Sequence, residues 1–100
     1  MYLDNKIAVV TGGASGIGRA VAHTMGRRNA EAVALVDLNE QVAEADADIN
    51  AEVGREFAIA FQGDTTDEGF RRSVFDTMGE RYGPITLCVP AAGITRDDLA

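Results

Sequence analysis

Four short apolar runs, each closed by a turn signal and separated from the next by a stretch of helical spacing, leave this chain few folds. Ile7-Ala8-Val9-Val10 stops at Thr11-Gly12-Gly13. Ala32-Val33-Ala34-Leu35-Val36 stops at Asp37. Phe57, Ile59 and Phe61 alternate up to Gly63-Asp64, and Ile85-Thr86-Leu87-Cys88-Val89 stops at Pro90-Ala91-Ala92-Gly93. All four read as strands, and the first, a continuous apolar run, as one buried on both faces.

The stretches between them carry a different period. From Ser15, Ile17, Val21 and Met25 recur four apart, with Arg27 and Arg28 in the last turn and Asn29 as a left-handed cap. Asn39 is placed as an N-cap, Val42, Ala45, Ile49 and Val53 hold helical spacing, and Gly54 ends that helix. Thr65 and Glu68 fit a capping box ahead of Phe70, Val74 and Met78, and Gly83-Pro84 stops the third helix.

The pattern is βαβαβαβ. Parallel strands need crossovers of about a dozen residues or more, and each interval supplies one as a helix. Right-handed crossovers place those helices on the sheet faces. The expected fold is α/β, a Rossmann-type doubly wound parallel sheet with strand order 3-2-1-4. With 100 residues there is one domain at most. Its fourth strand would be an open apolar edge, which invites pairing. Residues 1–100 are therefore expected to be the N-terminal part of a dinucleotide-binding domain, incomplete without downstream strands.

Charge and composition exclude other classes. Nine Lys and Arg against 16 Asp and Glu leave a net charge of −7, which repels phosphate backbones and argues against nucleic-acid binding. One cysteine excludes an internal disulfide and a cysteine zinc site, and one histidine excludes any motif that needs two. No run approaches the roughly 18 apolar residues of a membrane span. The N-terminus lacks the basic start and apolar stretch of a signal peptide, so the expected location is cytoplasmic.

The chemistry concentrates at residues 11–18, Thr-Gly-Gly-Ala-Ser-Gly-Ile-Gly, between the first strand and the first helix. Gly12, Gly16 and Gly18 let backbone turn sharply and approach a ligand, and the orphan N–H groups of a helix start suit a pyrophosphate. Ser15 and Ile17 would offer donors or backbone there. Asp37 ends the second strand about 20 residues further on, where a carboxylate accepts from the adenosine ribose diol. The following Leu38, Asn39 and Glu40 bring no cation, so NAD(H) is expected over NADP(H). The competing readings are a glycine-rich turn without ligand and an acid that caps the next helix.

Thr11 to Gly18 resembles the cofactor loop of the short-chain dehydrogenase/reductases. Asp37 matches their NAD-selecting acid, Asp64-Thr65 looks like their adenine-contacting pair, and Val89-Pro90-Ala91-Ala92-Gly93-Ile94 is similar to their Val-Asn-Asn-Ala-Gly-Ile segment. Residues 94–97, Ile-Thr-Arg-Asp, are most similar to the 3-oxoacyl-carrier-protein reductase branch. The resemblance implies cofactor contacts from Gly12, Ser15, Gly16, Ile17, Gly18, Asp37, Leu38, Asp64, Thr65, Ala91, Ala92 and Gly93. It implies hydride transfer between nicotinamide and a small carbonyl or alcohol substrate. The family's catalytic serine, Tyr-x-x-x-Lys pair and helix asparagine would all fall downstream of Ala100, so none of these residues is assigned a catalytic role. A homo-oligomer is allowed, through helices also downstream. Pro90 and Ala91 depart from the family's two asparagines, which removes amides that would brace backbone beside the cofactor.

Other candidates have plainer readings. Tyr2 and Lys6 match Tyr-x-x-x-Lys, but they precede the first strand, at the wrong end of a parallel sheet for ligands. His23 lies off the apolar stripe and is expected to be solvated. Cys88 is expected to pack as a small buried residue. Three functions stay open: an NAD-dependent oxidoreductase, a nucleotide-binding or protein-interaction module without turnover, and an α/β domain that binds no nucleotide.

Overall fold

The structure is a computed structural model and describes residues 3–91. Its elements follow in the order β1 (Ile7–Thr11), α1 (Gly16–Arg27), β2 (Ala32–Asp37), α2 (Val42–Val53), β3 (Ala58–Gln62), α3 (Glu68–Arg81) and β4 (Leu87–Pro90). The four strands form one sheet in the order β3-β2-β1-β4, and every pairing is parallel. The expected α/β class and strand order are both found.

Side chains alternate across the strands and build one core on each face. Ala8, Val10, Val33 and Leu35 pack with Ala22 and Met25 of α1 and with Val42, Ala45 and Ile49 of α2. Ile7, Val9, Ala32, Ala34 and Val36 pack with Val74 and Met78 of α3. The chain steps outward from β1 through β2 to β3, then crosses back to β4 on the far side of β1. A right-handed crossover in the reversed direction puts α3 on the opposite face from α1 and α2. This reversal makes the carboxyl ends of β1 and β4 the switch point, where open α/β sheets hold ligands.

Several local expectations are corrected. On α1, the buried line runs through Gly18, Ala22, Met25 and Gly26, and Ile17 and Val21 are only half-buried. The helix approaches its neighbours so closely that a Cβ on Gly26 would lie 2.7 Å from a Val53 methyl, so the smallest residues take the contact line. Asn39 does not cap α2. It sits one tight turn earlier, where its Oδ1 accepts from Gln41 N–H at 2.8 Å and its carbonyl from Val42 N–H at 3.1 Å. The N-cap of α3 is Asp67, whose Oδ1 accepts from Gly69 N–H at 2.9 Å and Phe70 N–H at 3.4 Å; Thr65 and Glu68 form no capping box. A carboxylate at a helix N-terminus benefits from the dipole as well as the hydrogen bonds.

Phe57 precedes β3 and is 1% exposed on the α1–α2 side, whereas Ile59 and Phe61 face α3. Cys88 is exposed. It lines a small apolar recess with Val9, Phe70, Val74 and Phe75, because α3 does not reach across an edge strand. β4 starts two residues later than expected and includes Pro90, which pairs with Thr11.

The two edges of the sheet differ. At β3, Asn50 of α2 accepts from the N–H groups of Phe57 (3.0 Å) and Ala58 (2.7 Å) and donates to the Ala58 carbonyl (3.0 Å). One turn earlier, Asp46 accepts from Ala60 N–H at 3.2 Å. Side chains of α2 thus occupy backbone groups that an edge strand would otherwise present to another chain. β4 pairs only with β1 among the described residues. No helix among them is long and apolar enough to cross a membrane.

Candidate functional site

The loop after β1 is closed around one carbonyl. Gly12 takes φ +75°, a left-handed turn that favours glycine. Its oxygen accepts from Ser15 N–H at 3.0 Å and from the Ser15 hydroxyl at 2.7 Å. The same hydroxyl oxygen accepts from Gly18 N–H at 2.9 Å, which makes Ser15 the N-cap of α1. The turn is so tight that a Cβ on Gly18 would lie 2.1 Å from the Gly12 oxygen. The Ser15 hydroxyl is therefore engaged inside the loop.

Two donors are left over. The N–H groups of Gly16 and Ile17 make no hydrogen bond among the described residues. They belong to the first turn of α1, where the dipole is positive. A Cβ on Gly16 would meet nothing within 4 Å, so the protein itself gives no steric reason for a glycine at that position. The space above it is open to a ligand.

β2 delivers the neighbouring carboxylate. Gly13 N–H donates to the Val36 carbonyl at 3.0 Å, which lays the loop over the end of β2. Asp37 Oδ2 accepts from Ala14 N–H at 2.9 Å, and Asp37 Oδ1 accepts from Asn39 N–H at 3.0 Å. The glycine loop and Asp37, expected from sequence to cooperate, are in direct contact. Leu38 projects outward and is 69% exposed.

Asp64 and Thr65 follow β3 at the same end of the sheet, and Gly63 N–H binds the Asp37 carbonyl at 2.9 Å. Asp64 Oδ1 accepts from the Thr66 hydroxyl (2.7 Å) and the Thr66 N–H (2.9 Å). The hydroxyl first, and the backbone N–H after it, hold the Asp64 carboxyl below the usual carboxylate range. The Thr65 carbonyl accepts from Arg71 Nη1 at 2.7 Å. Ala91, just after β4, is 2% exposed and packs into the core. Ala92, Gly93, residues 94–97 and Tyr2 lie outside the described residues.

Sequence reasoning missed Ala14, Asn39 and Thr66 as members of this arrangement. The first two act through backbone N–H groups, which leave no side-chain signature. Asp37-x-Asn39 and Asp64-x-Thr66 share the spacing of an Asx turn, and that spacing is the signal that could have found Asn39 and Thr66. His23 lies away from the site, with Nε2 3.0 Å from a Glu52 carboxylate oxygen.

Residues 6–100 match the family model described as short chain dehydrogenase. Among curated relatives, the chain is 39% identical over 95 residues to a 3-oxoacyl-(acyl-carrier-protein) reductase of Rattus norvegicus, covering 95% of this chain and 38% of that protein. It is 38% identical over 96 residues to D-threitol dehydrogenase of Mycolicibacterium smegmatis, covering 94% and 35%. Among solved structures, a short-chain type dehydrogenase/reductase from Mycobacterium marinum superposes with a TM-score of 0.75 at 28% identity, over 87% of this chain and 34% of that one. An NAD+-bound xylitol dehydrogenase superposes with a TM-score of 0.76 at 26% identity, over 98% and 41%. The chain thus spans well under half the length of each relative.

Proposed function

Because the chain belongs to the short-chain dehydrogenase family, we propose that it is the cofactor-holding part of an NAD-dependent oxidoreductase. One observation carries this reading. Two unbonded N–H groups at the start of α1, open space above Gly16 and the Asp37 carboxylate meet at the switch point of the sheet.

In this reading the pyrophosphate rests on the Gly16 and Ile17 N–H groups, with Gly12, Ser15 and Gly18 holding the loop in shape. Asp37 accepts from the adenosine ribose diol, and Leu38 flanks the adenosine. Asp64 and Thr65 contact the adenine, and backbone from Ala91 to Gly93 lies near the riboses. Asp37 forms no ion pair among the described residues. An uncompensated carboxylate at this place repels a 2′-phosphate, so NAD(H) is preferred over NADP(H).

When bound, the nicotinamide supplies the hydride chemistry, acting between its ring and a small carbonyl or alcohol. The catalytic serine, tyrosine and lysine are proposed to follow residue 100 in the whole protein. A cytoplasmic location and a homo-oligomeric assembly belong to the same reading.

Titration of the chain with NADH and NADPH by calorimetry tests the binding claim: NADH is expected to bind, and more tightly than NADPH. Absence of heat with either would remove it. A second reading, a nucleotide-binding module without turnover, is favoured by Pro90, which pairs with Thr11 where the family has an asparagine. NADH oxidation by the whole protein against a panel of carbonyl compounds separates the two.

A further inference from the structure

We infer that Asp37 positions the glycine loop in addition to selecting the ribose, so that its removal alone cannot switch this site from NAD to NADP. The loop half of this inference stands on geometry alone, and the nucleotide half rests on the proposed function.

The loop touches β2 at two polar points. One is backbone to backbone, Gly13 N–H on the Val36 carbonyl at 3.0 Å. The other is Ala14 N–H on Asp37 Oδ2 at 2.9 Å, a partly buried hydrogen bond between residues 23 apart in sequence. A hydrogen bond to a carboxylate is roughly twice as strong as a neutral one. Ala14 N–H has no other acceptor among the described residues. Truncation of Asp37 would leave it unsatisfied in a partly buried place, and the loop would shift to reach water. The Gly16 and Ile17 N–H groups lie directly downstream of that point, so a loop that shifts at Ala14 no longer presents them in one direction.

The two carboxylate oxygens are divided between different segments. Oδ2 faces the loop, and Oδ1 faces Asn39 in the turn before α2, where the bond is exposed. An asparagine keeps a carbonyl oxygen for Ala14, and the exposed Asn39 N–H can turn to water. Charge and positioning are therefore separable: Asp37→Asn removes the first and keeps the second, while Asp37→Ala removes both.

The test pairs these two variants of the 100-residue chain. Amide hydrogen exchange at Ala14, read by NMR without nucleotide, reports the loop. Titration with NADH and NADPH reports the site. Asp37→Ala is expected to lower Ala14 protection by roughly tenfold or more and to weaken NADH by a similar factor, with no gain for NADPH because the lost loop offsets the lost repulsion. Asp37→Asn is expected to retain most of the protection and to bind NADPH more tightly than either the parent chain or Asp37→Ala. If Asp37→Ala does not fold, retained protection with a gain for NADPH in Asp37→Asn supports the inference, and lost protection overturns it. Unchanged Ala14 protection in a folded Asp37→Ala overturns it, as does tighter NADPH binding by that variant. A parent chain that binds neither nucleotide removes the proposed function, while the exchange measurement still decides whether Asp37 holds the loop.

Discussion

A Cβ added to Gly18 would stand 2.1 Å from the carbonyl oxygen of Gly12, whereas one added to Gly16 would meet nothing within 4 Å. The two glycines of one loop thus stand in different surroundings. Gly18 is needed by the fold, and Gly16 faces open space.

Substitution separates those roles. Gly18→Ala forces backbone apart and is expected to cost about 3 kcal/mol or more, since the obstructing atom is a carbonyl of the same tight turn. Gly16→Ala is expected to leave stability within about 0.5 kcal/mol of the parent or slightly above it, because alanine is the better helix residue. Its methyl group would nevertheless hold a phosphate away from the α1 N–H groups and weaken NADH by roughly tenfold or more. Urea unfolding and NADH titration of both variants check this. A Gly16→Ala chain that binds NADH as well as the parent would refute the placement of the pyrophosphate.

Asn50 joins α2 to the start of β3 with three hydrogen bonds, all partly buried. Asn50→Ala leaves the Phe57 and Ala58 N–H groups without their acceptor at the edge of the sheet. The expected loss is about 2 kcal/mol in urea unfolding. A loss below about 0.5 kcal/mol would mean that water replaces the side chain there. Freed strand edges also pair with other chains, so the variant is expected to aggregate more readily on warming.

The Asp64 carboxyl is held below its usual range by Thr66, and the sign of its effect follows. A depressed folded value means that the ionised form supports the β3–α3 turn above the unfolded carboxylate range. That support is lost as pH falls through the folded value. The Thr66 amide resonance is expected to titrate with a midpoint below that of an ordinary aspartate and to lose this transition in Asp64→Asn. A midpoint at or above the ordinary value would contradict the turn geometry.

Cys88 is exposed beside an apolar recess on the α3 face. In the 100-residue chain its thiol is expected to react with a disulfide reagent in the native state at nearly the rate of the unfolded chain. A rate slower by orders of magnitude would show that the face is covered, by further chain or by a second copy.

Much of this molecule was legible in order of sequence. Apolar runs, helical spacing and the glycine offsets of residues 12–18 are properties of neighbouring residues, so the βαβαβαβ pattern, the parallel order and the nearness of the loop to Asp37 could all be read directly. The departures lie where local pattern leaves a choice. Thr65 was expected to cap α3, but Asp67 does so, because several polar residues before a helix start compete and only backbone geometry chooses among them. Cys88 was expected to be buried, but although the pattern places its strand at an edge, it does not tell how far a helix on that face extends.

Contacts between residues distant in sequence were decided by the tertiary structure alone. The Ala14 N–H finds Asp37 because Gly13 is tied to Val36 and parallel pairing brings the end of β1 beside the end of β2. Asn50 and Asp46 seal the β3 edge because α2 folds back along the strand that follows it. Local composition determines which elements form. The hydrogen bonds that join loop to strand and helix to edge depend on relative placement, which is settled only when both faces of the sheet are buried at once.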